Sequence, residues 1–348
     1  MKEKSTRLIF LISVLLAALA LGFIAGGFSY RIGLLSSIKQ LVIPAPQPTI
    51  PATAIQPNFE IKFLDDPLPA SMNSIPLEDN DRPLTFLVAG HIYGKPGDEE
   101  FHPALTLLSN IALLKRYDPD FAVFLGDTVW KPSAKNFNDL EMFIYDQMDI
   151  PVFNAVGNHD VTRRDMYQDR YGSTVYAFNY KNQLFIILDT TLKYYDLTPN
   201  QYSFVLDTIK EQSPDLEAVH IFMHHVLFLS ENEIHGKEII KPNEGDGTSP
   251  DFLAYLETYL VPLSKTKPIY IYAGDVGAFQ GGNLSPLYKR VQSEKIYLLA
   301  TGLGNNPNDS ILLVEANYSG EIIIKPISLD GKEMNAIDSY NMEYWINH

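Results

Sequence analysis

Cysteine is absent from all 348 residues. That excludes thiol nucleophiles, disulfide staples, iron–sulfur clusters and cysteine-based zinc sites. Positive charge is scarce as well: 27 lysines and arginines stand against 42 aspartates and glutamates, a formal net charge of −15. A nucleic acid or an anionic surface would meet like charge, so no nucleic acid is expected as a partner, and an acidic surface suits a cation-dependent site. No internal repeat is visible, which argues for one domain rather than an array. What is present is apolar material in quantity, 46% of residues, enough to bury a sizeable core.

One stretch stands apart. From Leu8 to Tyr30 there is no charged residue. At about 1.5 Å per residue such a helix reaches roughly 34 Å, enough to cross the hydrocarbon of a bilayer. Lys2, Lys4 and Arg7 precede it and Arg31 and Lys39 follow, so the positive-inside rule favours a cytoplasmic N-terminus with the remainder exported. A cleaved signal peptide is the rival, because Ala18-Leu19-Ala20 resembles a cleavage site. The apolar run continues past it, and a retained anchor is preferred. Gly22 and Gly26 form a GxxxG pair through which two anchors can form a weak dimer. The prolines of PAPQPTIPATAIQP, 44–57, then remove backbone donors and favour an extended spacer. The expected organisation is a cytoplasmic N-terminus over 1–7, a transmembrane anchor over 8–30, a juxtamembrane and proline-rich linker over 31–81 and an extracytoplasmic domain over 82–348. That describes a single-pass membrane protein.

Beyond Arg82, apolar runs of strand length alternate with helical segments, which encodes a mixed sheet covered by helices. TFLVAG (85–90), FAVFLGD (121–127) and PVFNAVGNHD (151–160) each carry a strand, with helices over Pro103 to Tyr117 and around Leu140 to Met148. VYAFNY and LFIILD, joined by Lys181-Asn182-Gln183, read as an antiparallel hairpin. Thr198-Pro199-Asn200-Gln201 is a capping box with proline at the first helical position, and Ser249-Pro250 caps a second helix. AVHIFMHHVLF (218–228) and IYIYAGDVGAF (269–279) are further strands. In the first of these, period-two alternation would put His220, Phe222 and His224 on one face and His225 on the other. KIYLLATG, ILLVEANY and EIIIKPISL, from 295 to 329, read as a closing antiparallel set.

Polar residues gather just after the apolar strands: Gly90-His91, Gly126-Asp127, Gly157-Asn158-His159-Asp160, His224-His225 and Gly274-Asp275. Taken alone, the Gly-Asp and Gly-Asn-His-Asp endings are ordinary turn chemistry, His91 is unremarkable, and a histidine in an apolar strand such as His224 or His225 reads as a hydrogen-bonded core residue. Ligands of open α/β sheets bind beyond the carboxyl ends of strands, however, so five such endings in strand order point to convergence.

In order and type these blocks resemble the calcineurin-like metallophosphoesterases, whose pattern is Asp-x-His, Gly-Asp, Gly-Asn-His-Asp/Glu, a strand-end His and Gly-His-x-His. The resemblance spans about residues 84 to 280. It implies a four-layered α/β/β/α sandwich with mixed sheets, here preceded by one N-terminal transmembrane helix. It further implies a metal-dependent phosphoester hydrolase that acts on a phosphorylated small molecule or envelope component. Two positions depart from the pattern. Asp-x-His reads Ala89-Gly90-His91 and Gly-His-x-His reads Gly274-Asp275-Val276-Gly277. One of the family's two metals therefore keeps only His91 and the bridging Asp127, unless Asp246 or Glu244 moves in. The other metal keeps four donors: Asp127, Asn158, His224 and Asp275. The resemblance thus implies a single divalent ion and no second one. Three oxygens and one nitrogen favour Mn²⁺, Mg²⁺ or Ca²⁺, with Zn²⁺ or Fe²⁺ compatible. His159 matches the residue that protonates the leaving oxygen, Asp160 is expected to orient its ring, and His91 to contact the phosphate. The alternative is a non-catalytic descendant that binds a ligand or serves as an envelope scaffold.

Overall fold

The computed structural model describes residues 71–94, 103–212, 216–230, 242–278 and 284–347. The expected anchor, its Gly22/Gly26 pair and the linker as far as residue 70 lie outside these residues. Among the described residues no helix is long and apolar enough to cross a membrane.

Two mixed sheets form the framework. One has the order β11-β10-β1-β2-β3, made of β1 (Thr85–Gly90), β2 (Phe121–Leu125), β3 (Val152–Asn154), β10 (Ser310–Ala316) and β11 (Ile322–Ser328). The other has the order β4-β5-β6-β7-β9-β8, made of β4 (Tyr176–Tyr180), β5 (Gln183–Ile187), β6 (Ala218–Met223), β7 (Ile269–Ala273), β8 (Leu287–Ser293) and β9 (Ile296–Thr301). Strands β1, β2 and β3 run parallel, as do β5, β6, β7 and β9, while antiparallel partners occupy the flanks. Every residue of β2, β6 and β7 is buried, which is what uninterrupted apolar runs mean for central parallel strands covered on both faces.

The layers follow from which side chains meet. Phe86 and Phe121 of the first sheet pack edge-on against Phe185 of the second, with ring centroids 5.5 and 5.2 Å apart, at the centre of an aromatic core between the sheets. The opposite face of the first sheet is covered by helices α1 (Leu105–Leu108), α2 (Ile111–Leu114), α3 (Ala134–Leu140) and α4 (Asp146–Met148), α3 and α4 being joined by a π-helical turn. Helix α5 (Arg164–Tyr171) adds Tyr167 to that cluster. The outer face of the second sheet is covered by α6 (Pro199–Glu211) and α7 (Pro250–Tyr255), the latter continuing through a π-helical turn into α8 (Val261–Ser264). Both expected N-caps form, Thr198 accepting from Gln201 N–H and Ser249 from Phe252 N–H, each with proline at the first helical position, but the Gln201 side chain bonds the Asp189 backbone instead of closing the capping box.

Two expectations change. The last three apolar runs do not make one antiparallel set: β9 runs parallel to β7 in the second sheet, whereas β10 and β11 form a hairpin on β1 in the first. The chain changes sheet between Thr301 and Ser310. Strand β8, which carries Lys289 and Arg290 on a half-exposed edge, escapes an apolar-run reading because edge strands need little apolar surface. The run 218–228 is also not all strand. β6 stops at Met223, so His224 and His225 belong to the loop beyond it, and strand alternation does not separate them.

Candidate metal centre

Five loops leave the carboxyl ends of β1, β2, β3, β6 and β7, and the two sheets come together there through glycine. A Cβ on Gly90 would lie 2.5 Å from the Gly274 Cα, and one on Gly274 would lie 2.2 Å from the Leu125 Cβ. Neither position tolerates a side chain without backbone movement. His91 and Asp127 follow their glycines with φ of 52° and 53°, a left-handed conformation uncommon for residues other than glycine and characteristic of functional sites.

The ring orientations are set by backbone carbonyls. His224 Nδ1 donates to Leu125 O (2.7 Å), His91 Nδ1 to Leu303 O (3.0 Å) and His159 Nδ1 to Trp130 O (2.9 Å). In each neutral ring Nε2 is then left as the lone-pair atom, the arrangement that fixes a metal-ligating imidazole. His224 Nε2 lies 3.1 Å from Asn158 Oδ1, 3.5 Å from Asp127 Oδ1 and 3.7 Å from Asp275 Oδ1. His91 Nε2 is 3.5 Å from Asp127 Oδ2, and ligand atoms of His91, Asp127 and Asp275 lie within 4.8 Å of one another. The four donors expected to share one ion are thus brought together, and His91 joins them.

These groups are almost wholly buried: Asp127 and Asp275 are each 1% exposed and His224 0%. Burial pushes the Asp127 carboxyl up to about 8; Asp160 and Glu244 add repulsion that nearby His159 opposes. Burial likewise pushes Asp275 up to about 7, with His224 lowering and Asp127 raising it, and burial beside His224 takes His91 down to about 3. Asp275 Oδ1 has no hydrogen-bond partner although it is buried. An orphaned carboxylate oxygen facing a lone-pair nitrogen and two further oxygens is a donor set that fits a divalent cation.

The neighbours differ from expectation in three respects. Asp160 does not orient His159: its Oδ1 accepts from the Thr128 N–H and hydroxyl, both at 2.7 Å, and its Oδ2 from Gly157 N–H. It ties the Gly157–Asp160 turn to the Gly126–Asp127 loop, and the His159 ring stacks instead on Trp130 with centroids 4.3 Å apart. Glu244, considered as a replacement ligand, accepts from Tyr195 OH, and Asp246 caps Thr248 N–H. The Glu244 backbone N–H nevertheless donates to Asp275 Oδ2 and Asn243 N–H to Asp275 O, so the end of the 229–250 loop clamps the Asp275 turn. His225 is the residue that the sequence reading set aside; it stands beside His224 and Asp275. No sequence signal marks the strand end, because the apolar run continues past the histidines to Phe228, whereas β6 itself stops at Met223. Ala89 is in the apolar cluster under the helices, and Gly277 has no side chain, so neither contributes a donor. His220 is a core residue, hydrogen-bonded at both ring nitrogens by Tyr272 and Gln183.

Residues 84–241 match a family model described as calcineurin-like phosphoesterase. No curated protein matches the sequence. Among solved structures, a dimetal phosphatase from Danio rerio superposes with a TM-score of 0.50 at 12% identity, covering 71% of this chain and 97% of that one. A purple acid phosphatase from yellow lupin (Lupinus luteus) seeds superposes with a TM-score of 0.47 at 12% identity, covering 76% and 54%.

Proposed function

The chain belongs to the calcineurin-like metallophosphoesterase superfamily, and from that premise we propose that it is a phosphoric ester hydrolase with a one-ion site. The observation that carries this reading is the meeting of His224 Nε2 with oxygens of Asp127, Asn158 and Asp275 in a buried cleft. Those four residues would hold the ion. Three oxygens in the set favour Mn²⁺, Mg²⁺ or Ca²⁺, with Zn²⁺ or Fe²⁺ compatible. When bound, the ion would polarise the phosphoryl group and favour attack by water.

The remaining steps fall to the chain's own residues. His159, half-buried and held by Trp130, can carry a proton at Nε2 for the leaving oxygen. His91 Nε2 faces Asp127 Oδ2 at 3.5 Å as a lone-pair atom, so it can turn toward a cation but has no proton to give the phosphate oxygen that it was expected to contact. Asp160 acts through the turn that it pins rather than on substrate. The substrate class is a phosphorylated small molecule or an envelope component. The charge-free run Leu8 to Tyr30 and the prolines after it support a membrane-anchored, extracytoplasmic domain. Protease protection of tagged N- and C-termini in intact cells tests that topology, and a C-terminus cleaved only after lysis would refute it.

A second reading has its own support. Ala89 and Gly277 leave the family pattern short of two donors, as in a descendant that binds without turnover. Assays of generic phosphomonoesters and phosphodiesters with Mn²⁺, Mg²⁺, Ca²⁺, Zn²⁺ and Fe²⁺ separate the two readings. Hydrolysis above Asp127→Asn and His159→Ala controls supports the enzyme, whereas rates equal to those controls with every ion leave the binder.

A further inference from the structure

We propose that His225 is an additional ligand of this cation centre, supplying the imidazole that Asp275 replaces in the Gly-His-x-His block. The inference rests on the one-ion reading above and adds a residue to it. Because β6 ends at Met223, His224 and His225 both project from the loop, their ring centroids 4.8 Å apart. Ligand atoms of His224, His225 and Asp275 all lie within 4.8 Å of one another.

The hydrogen bonding of the His225 ring selects the atom. Nδ1 lies 2.8 Å from the Thr190 hydroxyl oxygen, which also accepts the His225 backbone N–H at 3.2 Å. The hydroxyl oxygen accepts the backbone N–H and has a second lone pair for Nδ1–H, and in that tautomer the neutral ring carries its proton on Nδ1. Nε2 is then the lone-pair atom. It is buried, on a side chain 2% exposed, and has no partner. His220 provides the contrast within the same strand and loop: it is equally buried, yet both of its nitrogens are bonded. A core histidine in this protein is satisfied on both sides, and His225 is satisfied on one.

The surroundings hold the ring in that pose. Tyr195 packs edge-on against it at 4.6 Å, and the Tyr195 hydroxyl donates to Glu244, whose N–H donates to Asp275 Oδ2. The turn that carries Thr190 is anchored by Asp189, which accepts from the Thr191 N–H at 2.9 Å and from Arg164 of α5 at 2.6 Å. The donor set becomes two nitrogens and three oxygens, which shifts preference from Ca²⁺ and Mg²⁺ toward Mn²⁺, Fe²⁺ and Zn²⁺.

Pulsed electron spin resonance of the full-length protein loaded with Mn²⁺ counts coupled imidazole nitrogens, and equilibrium dialysis gives the affinity. The wild type is expected to show at least two imidazoles. His225→Gln and His225→Asn should each lose one and bind Mn²⁺ at least about 10-fold more weakly, since even partners one shell further out change affinity by roughly 10- to 100-fold. A single imidazole in the wild type overturns the proposal without any variant. So does an unchanged count and affinity in whichever of the two variants folds with wild-type circular dichroism. Wild-type protein that binds no cation overturns both this inference and the one-ion reading, whereas a bound ion indifferent to His225 overturns the inference alone.

Discussion

Asp275 concentrates the physical tension of the site. Its Oδ1 is buried without a partner and its carboxyl sits near 7, one donor away from Asp127 near 8. A bound cation would relieve this by displacing protons, because ligands must be deprotonated to bind. Asp275→Ala is expected to weaken Mn²⁺ binding by at least about 10-fold in equilibrium dialysis, as loss of a direct carboxylate donor should exceed the lower range seen for outer-shell changes. Calorimetric titration of the wild type at about pH 6 in buffers of different ionisation enthalpy should show proton release that disappears above about pH 9. Equal proton counts at both values would contradict the raised carboxyls. The convergence of Asp127, Asn158, His224 and Asp275 was legible from sequence because each closes an apolar run, three of them directly after a glycine, and the fold carries these endings to one place. The placements of Asp160 and His225 were not. Asp160 meets Thr128 across 32 residues, a contact no local spacing encodes, and His225 was misplaced by assuming that the strand ran on past Met223.

Among the elements, the helix starts and the glycine crossing carry opposite lessons. Ser249 accepts from Phe252 N–H at the start of α7, and Ser249→Ala should lower unfolding free energy by about 1–2 kcal/mol in denaturant titration. Ser249 also donates to Asp196 Oδ1, which places the expected loss toward the upper part of the usual capping range. Gly274→Ala should be harsher, because the added methyl would overlap Leu125 and its carbonyl oxygen. It is expected to weaken cation binding in addition to stability, read by dialysis and thermal unfolding together; retention of both would show that the loops yield easily. The capping signals were plain in the sequence since they are local, as was the alternation of strands and helices. The assignment of β9 to one sheet and β10 to the other was hidden, because all three closing runs are equally apolar and sheet membership is decided by packing partners far away in sequence.

At the scale of the molecule, the ionisation of the centre and global stability are linked. Both Asp127 and Asp275 have folded-state values above their ordinary 3.8, so the cation-free fold holds protons that the unfolded chain gives up. The stability these groups contribute is present at low pH and is lost as pH rises from about 4 through about 8. With a cation the direction reverses, because the ionised pair is then neutralised. The gain in melting temperature on replacing a chelator with saturating Mn²⁺ should therefore be larger at about pH 8.5 than at about pH 5.5. A gain independent of pH would mean that neither carboxylate reaches the ion.

The donors are divided between the two sheets. His91, Asp127 and Asn158 follow strands of one, while His224 and Asp275 follow strands of the other, and the halves touch where Gly90 meets Gly274. An ion held by both would work as a rivet through the seam, so that splaying the sheets apart and releasing the ion become the same event.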